Sequence, residues 1–159
     1  MIKVLFVCLG NICRSPMAEF IFKDMVAKKG MAKDFYIDSA ATSNYNEIDK
    51  EGIYEEAKNM LKEMKIPFNE HISRQIRKED YYKFDYILGM EEKNVANILN
   101  IVGEDVENKV FKLLDFTEKP RDIADPWYTG DFYSTYYDIC YGCEKFFDYI
   151  KKMWYYYKK

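Results

Sequence analysis

Ile2-Lys3-Val4-Leu5-Phe6-Val7-Cys8-Leu9-Gly10-Asn11-Ile12-Cys13-Arg14-Ser15-Pro16 runs from an apolar segment, through a short polar loop, into a proline that opens a helix. Residues 2–7 are apolar but for one lysine, the pattern of a strand buried on both faces. Cys8 to Ser15 is a Gly-containing loop. Ser15 is placed as the helix N-cap and Pro16 at the first helical position, where no N–H is needed. The helix expected over roughly 16–29 gathers Met17, Phe20, Ile21, Met25 and Val26 on one side and stops at Gly30.

Outward from this unit the alternation repeats. Phe35 to Asp38 reads as a second strand, followed by a polar loop to about Lys50. Ile53, Ala57, Met60, Leu61 and Met64 mark an amphipathic helix that ends before Pro67. Asp85 to Met90 reads as the third strand, with a helix over about 91–102 after it, and Lys109 to Phe116 as the fourth. Phe132, Tyr136, Ile139, Cys143, Phe146, Ile150 and Met153 recur at helical spacing, which predicts one long closing helix. Strands alternating with helices specify an α/β fold, a parallel sheet with right-handed crossovers and helices on both faces. Ligands of such sheets sit at the carboxyl ends of the strands. There the sequence offers the Cys8–Ser15 loop and the segment containing Asp125.

Composition narrows the class. The 159 residues fit one domain, expected to span 1–159. The net charge of −3 argues against a nucleic-acid partner held on a broad basic face. A single histidine, His71, removes most metallohydrolase layouts, so no metal and no cofactor are expected. The apolar run Val4–Leu9 is shorter than the ~7–15 residues of a signal-peptide core, and no segment approaches the ~18 apolar residues of a membrane span. No stable membrane insertion is expected. Cys8, Cys13, Cys140 and Cys143 form two close pairs at opposite ends of the chain, which favours reduced thiols and a cytoplasmic location.

The first loop carries the chemistry. A tight loop leading into a helix can turn the backbone N–H groups of Leu9, Gly10, Asn11, Ile12, Cys13 and Ser15 inward as an anion cradle, with Gly10 permitting a positive φ. The helix dipole adds potential favourable to negative charge. Arg14 completes a Cys-x5-Arg pattern and can grip phosphate oxygens with its planar fork. The same field favours a Cys8 thiolate, an arrangement suited to attack on phosphorus. Expelling an alkoxide or phenoxide needs a proton donor, and Asp125 of Asp125-Pro126 falls on the same sheet edge. Cys8, Arg14 and Asp125 are therefore the expected catalytic residues.

Val7 to Pro16, Asp38-Ser39-Ala40-Ala41-Thr42-Ser43, Phe84 to Leu88 and Asp125-Pro126 closely resemble the low-molecular-weight protein tyrosine phosphatases, in order and over nearly the whole chain. The resemblance implies a four-stranded parallel sheet with flanking helices and a metal-independent hydrolysis of phosphotyrosine through a phosphocysteine. The partner would be a phosphotyrosine-containing protein or a small aryl phosphate. By the same resemblance Ser15 supports the thiolate, and Asn11, Ser39 and His71 hold the loop's strained backbone. Cys13 is similar to the second loop cysteine, able to bridge Cys8 under oxidation. Tyr45, Trp127 and Tyr128 match aromatic walls where a substrate ring could stack, or serve plain packing. Trp127 stands where many relatives have Tyr, and Glu91 where Asp is more usual; both are placed at the pocket rim by analogy.

Two other readings compete. A thiol-dependent arsenate reductase looks similar but relays oxidation through two further cysteines, and Gln75 to Asn108 contains none. A phosphotyrosine-binding or redox-sensing module would keep the cradle without turnover; the joint presence of Cys8, Arg14 and Asp125 favours a catalyst. Cys140-Tyr141-Gly142-Cys143 falls within the last helix with Cys143 on its apolar stripe, so packing is the preferred reading. The tail Trp154 to Lys159 either finishes that helix, the preferred reading, or docks a partner or membrane surface.

Overall fold

The computed structural model describes residues 1–157. The central strand β1 (Ile2–Cys8) pairs with β2 (Phe35–Ala41) on one side and β3 (Tyr86–Gly89) on the other, and β3 pairs with β4 (Val110–Lys112). All pairings are parallel and the order is β2-β1-β3-β4. The chain thus leaves β1 in one direction and later resumes on its other side. That reversal opens a crevice at the carboxyl ends of β1 and β3.

Strand β1 is apolar throughout because both of its faces are covered. Val4, Phe6 and Cys8 face a large core shared with α1 (Arg14–Lys28), α3 (Glu55–Glu63) and α7 (Phe132–Tyr157), through Met17, Phe22, Leu61, Ile139 and Phe146. Leu5 and Val7 face a smaller core with Tyr81 of α4 (Lys78–Lys83), Ile98 of α5 (Glu92–Val102), Ile76 and Phe84. Two further short helices, α2 (Tyr45–Ile48) and α6 (Pro126–Thr129), stand at the carboxyl edge of the sheet.

Several sequence expectations shift. The first helix begins at Arg14, with Cys13 as its N-cap, so Ser15 is not the cap. Pro16 still falls in the first turn, where its missing N–H is no loss. Strand β2 runs to Ala41 because β1 pairs with it residue by residue, ending at Cys8 against Ala41. The fourth strand is only three residues; Leu113–Phe116 instead form a 3₁₀ turn. Leu113 and Leu114 are buried beneath α7, where a Cβ at Gly142 would come within 2.6 Å of Leu113 Cγ. The Cys140-to-Cys143 segment is thus a packing seat: Gly142 admits Leu113, and Cys143 lies in the core. Helices α2, α4 and α6 had no periodic signature. Among the described residues no helix is long and apolar enough to cross a membrane. Of the tail, Lys158 and Lys159 lie outside the described residues.

Candidate active site

Between the end of β1 and the start of α1 the backbone makes a bowl, and its carbonyls explain why. Cys8 O accepts from the Thr42 N–H at 2.9 Å, Leu9 O from Ser43 at 3.0 Å, and Ile12 O from Tyr54 at 2.7 Å. Gly10 O accepts from Asn46 Nδ2 at 2.9 Å and Ser73 Oγ at 2.8 Å. Asn11 O meets His71 Nε2 at 2.8 Å, which requires the proton on that nitrogen, and Cys13 O takes the Met17 N–H at 3.1 Å. Every carbonyl from Cys8 to Cys13 is therefore anchored outward in the scaffold. In a trans peptide each N–H points opposite the preceding carbonyl, and no peptide here is cis. The N–H groups of Leu9 to Arg14 consequently face the other side, the side of the cavity. The Asn11 N–H reaches Cys8 Sγ at 3.3 Å.

The left-handed residue of the bowl is Asn11, with φ 55°, and not Gly10 as the sequence suggested. Asparagine tolerates this region better than most residues, and here its whole side chain is committed. Nδ2 donates to Ser15 Oγ and Ser39 Oγ, each at 2.9 Å, while Oδ1 accepts the Arg74 N–H at 3.2 Å. Gly10 serves close approach instead, since a Cβ there would stand 2.6 Å from Asn46 Nδ2 and displace its bond to Gly10 O.

These bonds have a fixed direction. Ser39 Oγ donates to buried Glu19 Oε1 at 2.6 Å, so Ser39 accepts from Asn11. Asn11 spends its second amide hydrogen on Ser15, leaving the Ser15 proton for Cys8 Sγ at 3.0 Å or Ala40 O at 3.3 Å. A buried carboxylate thereby frees the Ser15 hydroxyl proton through two intermediates, Ser39 and Asn11, with the sulfur as its nearer acceptor.

Arg14 is 2% exposed and forms part of the cavity wall. Its Nη1 donates to Ile123 O at 2.8 Å, and Nη2 lies 3.4 Å from Asp125 Oδ2 and 3.5 Å from Glu91 Oε1. Burial opposes its charge, but Cys8, Asp125 and Glu91 outweigh burial and raise its pKa. Asp125 caps α6, accepting the Trp127 N–H on Oδ1 at 3.0 Å. The cavity, about 280 Å³, brings Cys8, Leu9, Gly10, Ile12, Cys13, Arg14 and Asp125 together. Tyr45, Trp127 and Tyr128 form its rim, 75%, 57% and 80% exposed, so they are not packing residues in the core. Asn11 and Ser15 act from behind the bowl and do not line it, as do Ser39 and His71. Glu91 is not on the rim; it flanks the Arg14 guanidinium.

The two loop cysteines differ. Burial, and then the neighbouring Cys8 and Asp125, push the Cys13 thiol well up, which keeps it neutral. Burial also raises Cys140 and Cys143. All four cysteines are free thiols. Among the described residues no group of three or more His, Cys, Asp or Glu could hold a metal ion. Sequence reasoning missed Glu19, Asn46, Tyr54, Ser73 and Arg74. Of these only Glu19 left a sequence signal, an acid one helical turn from Ser15 on a side that must be buried.

The chain matches the low molecular weight phosphotyrosine protein phosphatase family over residues 3–154. It is 38% identical over 154 residues to YfkJ of Bacillus subtilis, a low molecular weight protein-tyrosine-phosphatase, covering 96% of this chain and 97% of that one. The crystal structure of YfkJ superimposes with a TM-score of 0.90 over 96% of both chains. PtpA of Staphylococcus aureus is 37% identical over 153 residues, 96% of each chain. A protein tyrosine phosphatase from Entamoeba histolytica, solved with Hepes in its active site, matches with a TM-score of 0.87 at 31% identity, over 96% of this chain and 98% of that one.

Proposed function

The chain belongs to the low molecular weight phosphotyrosine protein phosphatase family, and from that premise we propose that it hydrolyses phosphotyrosine and small aryl phosphate monoesters in two steps through a phosphocysteine on Cys8. It is an enzyme, a protein tyrosine phosphatase of this family. The observation that carries the mechanistic reading is the outward anchoring of all six carbonyls from Cys8 to Cys13. It leaves a ring of N–H dipoles, with Arg14 beside them, above one sulfur.

The phosphate dianion seats its nonbridging oxygens on the N–H groups of Leu9 to Arg14 and on the Arg14 fork. The Cys8 sulfur attacks phosphorus in line, forming an S–P bond as the bond to the leaving oxygen breaks. The leaving oxygen takes the electron pair and a proton from the Asp125 carboxyl. Asp125, now a carboxylate, removes a proton from water. The resulting oxygen attacks phosphorus, the S–P bond breaks, and inorganic phosphate leaves with the Cys8 thiolate restored. Tyr45, Trp127 and Tyr128 stack against the substrate ring. The single domain spans 1–159, and its four free thiols suit the reducing cytoplasm.

Steady-state rates on p-nitrophenyl phosphate and phenyl phosphate, in a chelator, test this reading. Cys8→Ser should abolish turnover yet still bind vanadate. In kcat/KM, which reports only the steps up to the phosphocysteine and so excludes the water step the two esters share, Asp125→Ala should lose ~10²–10⁴ on phenyl phosphate and far less on p-nitrophenyl phosphate, whose leaving group needs no acid. Equal losses on the two esters would remove Asp125 from the acid's role. Thiol-dependent arsenate reduction, measured alongside, should be absent.

A further inference from the structure

Helix α6 carries Asp125 at its head and has only four residues, too short to be stable by itself. Its backbone hydrogen bonds are local, from Trp127, Tyr128 and Thr129 back to Asp125 and from Gly130 to Pro126, and its side-chain tie to the bowl is a long one, Arg14 Nη2 to Asp125 Oδ2 at 3.4 Å. Something outside the segment must therefore hold it over the bowl.

Tyr54 is placed to do so. Its ring centroid lies 4.8 Å from that of Trp127 and 6.2 Å from that of Phe132, the first residue of α7. Burial, and then the neighbouring Glu56 carboxyl, raise the pKa of its hydroxyl. Its own backbone N–H donates to Ile12 O at 2.7 Å, on the outer side of the bowl. One residue thus touches the anion cradle through its main chain and the acid-bearing helix through its side chain.

We propose that the Tyr54 ring is a positioning group for the acid, bracing Trp127 so that Asp125 stands over the cradle at a fixed height. The proposal rests on the reading of Asp125 as the proton donor. The two attachments of Tyr54 are separable. Any side chain except proline keeps the N–H to Ile12, so the cradle stays anchored while the brace is removed. Misplacement by ~1 Å can cost on the order of 10²-fold in a step that requires alignment. The loss falls on leaving groups that need protonation and spares those that do not.

Tyr54→Leu, Tyr54→Phe, Asp125→Ala and the double variant Tyr54→Leu/Asp125→Ala are compared on phenyl phosphate and p-nitrophenyl phosphate, with vanadate affinity measured for each. Tyr54→Leu should lose ~10-fold or more in kcat/KM on phenyl phosphate, within the range a misplaced group produces, and change little in kcat/KM on p-nitrophenyl phosphate. Tyr54→Phe should behave as wild type, and the double variant should lose no more than Asp125→Ala alone. Tyr54→Met, which keeps more of the side-chain length, substitutes if the leucine variant does not fold. Equal loss on both esters, weakened vanadate binding, or no loss at all would overturn the role of Tyr54. If Asp125→Ala itself treats both esters alike, the acid assignment has failed and the brace falls with it.

Discussion

Glu19 shows how far from the sulfur a single residue can matter. It is 5% exposed, carries Lys23 Nζ on one oxygen at 2.6 Å, and accepts the Ser39 hydroxyl on the other. Lys23 is 42% exposed at its side chain, so the pair is half in water and the lysine can return there without penalty. The Ser39 hydroxyl cannot: with its acceptor gone it would be orphaned in the interior, which costs about 1–3 kcal/mol. Glu19→Leu should therefore lower the unfolding free energy by an amount in that range, seen as a lower urea midpoint at unchanged m. It should also slow iodoacetate alkylation of Cys8, because a Ser39 hydroxyl free to rotate no longer fixes Asn11 as donor to Ser15. Unchanged alkylation alongside lowered stability would confine Glu19 to a packing role.

At the scale of elements, α7 rests on one small residue. Replacing Gly142 by alanine would gain about 1 kcal/mol of helix propensity. The new methyl would also meet three carbons of Leu113 and Leu114 at 2.6, 3.1 and 3.1 Å, both side chains fully buried. Overpacking of this kind costs about 1–3 kcal/mol, so the clash wins. Gly142→Ala should lower Tm without changing KM, since neither leucine lines the cavity; a raised Tm would show that the 3₁₀ turn simply yields. The same elements explain what the sequence disclosed. Strand β1 and the first half of α1 are buried on all sides and so read as long apolar runs, and α7 buries a stripe long enough to impose a period, so their existence was readable. Helices α2, α4 and α6 have four to six residues and depend on caps and neighbours. The proposed catalytic set was legible because thiol, guanidinium and carboxyl chemistry is tied to residue type. Tyr54 and Arg74 were not, since they hold the bowl through backbone N–H groups that any residue but proline possesses.

For the molecule as a whole, the thiols set an alkaline limit. Cys13 and Cys143 are buried, and burial raises both above their ordinary 9.0. In the folded chain they keep their protons; in the unfolded chain they ionise near 9.0. Below that pH both states are protonated and these groups add no pH dependence. Above it the unfolded state binds fewer protons than the folded one, so the stability they contribute is lost as pH climbs toward their folded values. Each should subtract about 1.4 kcal/mol per pH unit. Tyr136, raised by burial from 10.0, joins from about one unit higher. Urea unfolding under reducing conditions, followed from pH 7.5 to about 10.5, should give a midpoint that is flat at first and then falls. Cys143→Ala should be less stable at neutral pH yet show a shallower fall, because one of the raised thiols, which also include Cys13 and Cys140, is gone. A midpoint holding level to pH 10.5 in the parent chain would mean that solvent reaches these thiols and that the core around α7 opens without unfolding.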